Sequence, residues 1–240
     1  MSKKNILMLV EGDKREPALM KHLFEIFGID EQYEIYSYNT EIYTLYEKVF
    51  SYGDDAIDIL QVLKENERDK GKRRLLDGKY SDILLIFDLD PQAHNYSEEK
   101  IRKMAEFFTE STDMGKLYIN YPMVESFYHM KSIPDPDYNK YYSTMEELRN
   151  GDYKARVNQE SYLRDYRKFA RTKEDCSIVI FQNIEKAKHL VDYSVDVPST
   201  ETILGSQLME IKTNDRVAVL CTCPFFIYDY NPGLLDVTGK

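Results

Sequence analysis

The chain has 240 residues, 42% of them hydrophobic and 31% charged, with a formal net charge of −10. It is long enough for one large domain or a core domain with an elaborated second half, and no apolar run approaches the ~20 residues that span a bilayer. The acidic balance excludes a surface that grips a phosphate backbone throughout, so any nucleic-acid site must be local.

The start, Met1-Ser2-Lys3-Lys4, leads into a short apolar stretch that stops at Glu11. It lacks the apolar core and cleavage site of a signal peptide, so a cytoplasmic protein is expected. Asn5–Val10 reads as a strand ending at Glu11-Gly12, and Pro17–Phe27 places Leu19, Leu23, Ile26 and Phe27 on one helical face. Tyr33–Tyr38 alternates like a strand, while Ile42–Phe50 and Ala56–Leu63 read as helices. Asp82–Phe87 is almost wholly apolar, the pattern of a strand buried on both faces. A helix opening at Ser97 runs through Phe108, and Lys116–Ile119 predicts a further short strand. This βαβ succession predicts an α/β fold with a mostly parallel sheet flanked by helices.

Past Ile133 the character changes. Pro134 and Pro136 break the chain, and helical texture rich in Tyr, Arg, Lys and Glu follows. Residues 1–133 are therefore expected to form one domain and 134–240 a mainly helical region. Within it Cys176–Val191 and Glu201–Ile211 read as helices, and Arg216–Cys221 as a late strand that returns to the sheet. The odd count of three cysteines argues against a disulfide framework, and Cys221 and Cys223 have no second pair to complete a zinc site.

In open α/β sheets, ligands bind beyond the carboxyl ends of the strands. The first strand ends in Glu11-Gly12-Asp13, and the buried strand ends in Asp88-Leu89-Asp90. Residues two apart in an extended segment point to one side, so Asp88 and Asp90 can face one hard cation. All-oxygen ligands suit Mg²⁺ or Mn²⁺. Each motif also has an ordinary reading, since Asp90 before Pro91 fits a turn or a helix cap.

Together these segments resemble the Toprim domain, the metal-binding fold of topoisomerases, primases and a group of nucleases. In that family a Glu ending the first strand works with an Asp-x-Asp after a later one. The string from Val10 through Glu11, Gly12, Asp13, Lys14, Arg15 and Glu16 to Pro17 is similar to the EGEKTEP-type opening of RloB-like proteins, a Toprim branch near the OLD nucleases. Tyr121-Pro122-Met123-Val124-Glu125-Ser126-Phe127 is similar to the NPCFELW-type block that follows there, with Tyr121 in place of Asn and Ser126-Phe127 in place of Leu-Trp. The resemblance covers roughly residues 5–130.

It implies Glu11 as metal ligand or general acid/base, Asp88 and Asp90 as catalytic metal ligands, and Glu16 and Glu125 as further ligands or orienting groups. Two cations about 3.5–4 Å apart can stabilise both oxygens of an in-line displacement, and holding them takes several converging acids. Glu16 also suits a plain helix start, where an acid is stabilised by the dipole, and Glu125 a first-turn surface acid. The resemblance implies a metal-dependent nuclease acting on DNA or RNA in prokaryotic anti-phage defence. A non-catalytic Toprim-like sensor or regulatory partner is the alternative. No Gly-x-x-x-x-Gly-Lys-Ser/Thr occurs, so the ATPase that the resemblance implies as a partner would be a separate chain.

Two basic segments offer themselves to nucleic acid. Lys70, Lys72, Arg73 and Arg74, with Lys79 beyond, precede the Asp-x-Asp strand and can grip phosphate near the metals or form a solvated loop. Tyr162, Arg164, Tyr166, Arg167, Lys168, Arg171 and Lys173 interleave rings with cations as stacking platforms do, or form a helix with one packed face.

Overall fold

The computed structural model describes residues 5–29, 32–51, 58–112, 114–192 and 196–235, with no side-chain description at 32, 166 and 167. Strand β1 (Asn5–Val10) has no exposed side chain from Ile6 onward, and α1 (Arg15–Phe27) follows after a four-residue turn. Gly28 closes α1 in the left-handed region at φ 62°, its N–H donating to the Glu25 and Phe24 carbonyls, a conformation glycine adopts without steric cost. Then come β2 (Gln32–Ser37), α2 (Ile42–Val49), α3 (Ile59–Asn66) and α4 (Lys70–Leu76). Residues 56 and 57, expected to open the third helix, lie outside the described residues.

Strand β3 (Asp82–Asp88) is buried at every position, as its unbroken apolar run predicts for a central strand. After α5 (Glu98–Phe107) come β4 (Thr109–Glu110) and β5 (Gly115–Asn120). The sheet order is β2-β1-β3-β5-β4, parallel throughout except for the β4–β5 pair. The α/β class and the mostly parallel, helix-flanked sheet agree with the periodicity.

The second half holds β6 (Tyr142–Thr144), α6 (Met145–Asn150), α7 (Tyr153–Glu160), α8 (Tyr166–Phe169), α9 (Lys173–Leu190), α10 (Thr200–Asn214), β7 (Arg216–Ala218) and α11 (Phe225–Tyr230). Thr172 and Asp175 form a reciprocal capping box at the start of α9, fixing where that helix begins. β7 pairs antiparallel with β6 in a separate two-stranded sheet and does not join the main one. The chain beyond it still meets the main sheet's edge, because Tyr121 and Leu220 exchange backbone hydrogen bonds of 2.8 Å just past β5.

Thr200 Oγ1 donates to the Leu117 carbonyl (2.6 Å) and Thr222 Oγ1 to that of Ile119 (2.8 Å). Buried apolar side chains on both sides of residue 133 join a single core. Among the described residues no helix is long and apolar enough to cross a membrane.

Candidate metal and phosphate site

Because β1, β3 and β5 run parallel, their carboxyl ends share one edge of the sheet, with Val10 paired to Ile86 and Asp88 to Asn120. Glu11 continues β1, its N–H donating to the Ile86 carbonyl (3.1 Å). Its side chain crosses to the next strand, where Oε2 accepts from the Asp88 N–H (3.1 Å). Glu11, Glu16, Asp88, Asp90 and Glu125 all line one pocket of about 280 Å³, together with Gly12, Lys14 and Arg15. All five acids named from the sequence thus reach one place.

Asp90 arrives there by a different route from the extended geometry expected of Asp-x-Asp. Strand β3 ends at Asp88, and Asp90 adopts φ 38° in a turn whose carbonyl accepts from Ala93 N–H (2.9 Å). An aspartate tolerates this left-handed region better than most residues. The Asp90 N–H donates to the Pro122 carbonyl (3.3 Å) and Gln92 Nε2 donates to Asp90 Oδ1 (2.9 Å), which hold the turn over the pocket.

Glu16 is in the first turn of α1, only 6% exposed, and folds back over Gly12. A Cβ on Gly12 would lie 2.7 Å from Glu16 Oε2, so any larger residue displaces that carboxylate. Here the glycine leaves room for the close approach of a carboxylate. Glu125 sits in the short 3₁₀ turn Val124–Tyr128 and is 2% exposed. It is ion-paired with Arg15 and, at 3.5 Å, with Lys154, yet neither carboxylate oxygen completes a hydrogen bond.

Burial is the main force on the acids, and their mutual repulsion adds to it. Burial and the nearby Asp90 charge raise Glu11 from 4.5 to about 8, against the pull of the Asp88 N–H. Asp88 lies well above the usual carboxylate range, driven by burial and by Glu11, Asp90 and Glu16, and opposed by a hydrogen bond from Asn120. Glu16 and Asp90 are raised chiefly by burial as well. Such clustering of acids against their own electrostatics is a mark of functional sites.

No family model, curated protein or solved structure matches this chain. The site must therefore be read from its own chemistry.

Among the described residues no group of three or more His, Cys, Asp or Glu side chains stands arranged to hold a metal ion. Two features fit a divalent cation. The donor set is all oxygen, as hard cations prefer, and Glu125 Oε2 is buried without a partner while Asp90 raises Glu11, and both raise Asp88, by repulsion.

Several contributors were not legible as site residues. Asn120, fully buried at the end of β5, donates from Nδ2 to Asp88 Oδ1 (3.2 Å), while its Oδ1 accepts from the Cys223 N–H (3.3 Å) and the Cys221 thiol (3.4 Å). Its place at the carboxyl end of a strand was the available signal. Lys154 comes from α7, in the half for which the sequence offers no motif. Glu41 shares with Glu11 and Asp13 a neighbouring pocket of about 580 Å³ and adds to the charge that raises Glu11.

The predicted basic segment is placed differently. Lys70, Lys72, Arg73 and Arg74 belong to helix α4, opened by an Asp69 cap on Lys72 N–H (2.8 Å), and not to a loop. Lys72 reaches the carboxyl edge, donating to the Ser37 carbonyl at the end of β2 (2.6 Å). Lys79 precedes β3, and its carbonyl accepts from Asn5 Nδ2 at the start of β1 (2.9 Å). It therefore lies a full strand length, roughly 20 Å, from the acids and does not flank them. His129 is fully buried between Tyr153 OH (3.2 Å) and Glu160 (3.0 Å), a packed histidine away from the pocket. Cys176, Cys221 and Cys223 are free and buried.

Proposed function

We propose that the chain is a divalent-metal-dependent nuclease that hydrolyses phosphodiester bonds of DNA or RNA. The observation that carries this reading is the convergence of Glu11, Glu16, Asp88, Asp90 and Glu125 on one pocket at the carboxyl edge of a parallel sheet. Glu11, Asp88 and Asp90 would hold Mg²⁺ or Mn²⁺, with Glu16 and Glu125 as further ligands or orienting groups. A cation bound there supplies charge neutralisation and a more acidic water.

The protein's own groups complete the site. Arg15 and Lys154 are half-exposed at its rim and suit the non-bridging oxygens of a phosphate. The amino end of α1 opens toward the same place and favours an anion. Burial and the Asp90 charge raise Glu11 to about 8 while no cation is bound, and a divalent cation held there would return it to the carboxylate form that ligates. Asn120 orients Asp88, and Gln92 orients Asp90.

The resemblance to RloB-like and OLD-type Toprim proteins supports the same chemistry, and it alone supports a role in anti-phage defence with a separate ATPase. The contact of Arg15 with Glu125 favours a second reading, a non-catalytic Toprim-like sensor in which a cation of the chain itself neutralises the site.

Incubation with plasmid DNA, single-stranded DNA and RNA in Mn²⁺ or Mg²⁺ tests the proposal. Cleavage is expected, with a loss of at least ~100-fold in Asp88→Ala and Glu11→Ala at unchanged fold. Equal cleavage by both variants would remove the site assignment. Absence of both metal binding and cleavage of any polymer would select the sensor reading.

A further inference from the structure

We propose that a second pocket, continuous with the carboxylates, receives one unpaired nucleobase, so that the substrate is single-stranded or locally unpaired nucleic acid. This rests on the nuclease reading of the neighbouring site and adds the substrate class to it.

The second pocket has a volume of about 220 Å³. Three separate elements lead into it from the acidic pocket. On α1, Arg15 lines both pockets, and Leu19, one turn later, lines the second. On the 3₁₀ turn, Glu125 faces the acids, whereas Phe127 and Tyr128 line the second pocket, with Val124 common to both. On α7, Lys154 faces the acids and Asn158, one turn on, lines the second pocket. Residues four apart share a helix face, so the two pockets succeed each other along three independent elements.

The chemistry of the walls changes in step. Most of the acids and the lysines give way to Leu19, Val124, Phe127 and Tyr128, all but Leu19 in the 3₁₀ turn that also carries Glu125, and Asp165 is the acid that remains in the second lining, next to Arg164. That combination suits a flat ring with a polar edge. The Tyr128 ring, 9% exposed, is the surface for stacking, backed by the buried Phe127, Leu19 and Val124, and the Asn158 amide offers a donor and an acceptor to a base edge. Arg15 at the junction and Arg164 on the other side are placed for the phosphates before and after such a base. A base inside a walled pocket cannot remain paired, so a duplex must open or be absent. Each occupied base contributes through stacking whatever its identity, so sequence tolerance follows.

The test uses the full chain and short fluorescent oligonucleotides of DNA and RNA, read by anisotropy in Ca²⁺, with gels to confirm that the strands stay intact. Single strands are expected to bind about tenfold more tightly than the matching duplex. Moving an abasic site along the strand is expected to weaken binding about tenfold at one position only. Asn158→Phe, which blocks the mouth from an exposed position, is expected to abolish that positional effect while the Mn²⁺-induced rise in melting temperature persists. The DNA and RNA arms decide which sugar is accepted.

Equal binding of intact and abasic strands, or undiminished strand binding by Asn158→Phe, overturns the base pocket even where the metal response is normal. Loss of the metal response in the unsubstituted protein, with the abasic effect retained, overturns the nuclease chemistry and leaves the base pocket standing.

Discussion

Substituting Glu11 by Gln should stabilise the metal-free protein at alkaline pH. The amide keeps an oxygen to accept the Asp88 N–H at 3.1 Å and removes one charge from a set of buried acids. A carboxyl that titrates at 4.5 in the unfolded chain and near 8 in the fold binds a proton more tightly when folded. Its ionisation therefore opposes folding as pH rises from about 4.5 through about 8. At about 1.4 kcal/mol per pH unit, the full difference is about 4–5 kcal/mol, and side-chain relaxation and water reduce this to roughly 2–3 kcal/mol.

For a chain of 240 residues each kcal/mol moves the melting temperature by about 2–4 °C. Glu11→Gln should thus melt some 5–10 °C above the unsubstituted protein at pH 8.5 in chelator, and within about 3 °C of it at pH 5. Differential scanning calorimetry at both pH values measures this. Adding Mn²⁺ at pH 8.5 should raise the unsubstituted protein toward or above the variant, and the variant should respond weakly. A variant no more stable than its parent at pH 8.5, or equally stabilised at both pH values, would refute the electrostatic reasoning.

Two further substitutions probe how the acids are held. Gly12→Ala should fold normally but push Glu16 out of its place over the turn, lowering metal affinity about tenfold in calorimetric titration; unchanged affinity would show that Glu16 is not a ligand. Asn120→Ala removes the Asp88 hydrogen bond and leaves the buried Cys223 N–H without its acceptor. It should cost about 1–3 kcal/mol in urea unfolding and ~10–100-fold in cleavage rate, whereas a stability loss with full activity would limit Asn120 to a structural part.

Much of the scaffold was legible because it rests on local patterns. The apolar runs at Asn5–Val10 and Asp82–Asp88 admit few structures other than strands buried on both faces, and each ends at its acids. Helix α4 escaped the reading because Lys70-Gly71-Lys72-Arg73-Arg74 shows no amphipathic period; its start depends on one aspartate cap. The late strand Arg216–Ala218 was visible, but its partner was not. Strand periodicity fixes which face is buried and says nothing of which edge is paired.

By itself, then, the sequence determined the α/β class and set Glu11 and Asp88 at strand ends, since both follow from hydropathy period and the direction of a parallel sheet. Tertiary structure alone decided what those acids meet. The left-handed turn at Asp90, the Asn120 bond to Asp88 across 32 positions, the Glu11 bond to Asp88 across 77, and the arrival of Arg15 and Lys154 at Glu125 join separate elements of the fold. Such meetings depend on crossover connections and core packing, which no local window of the chain encodes.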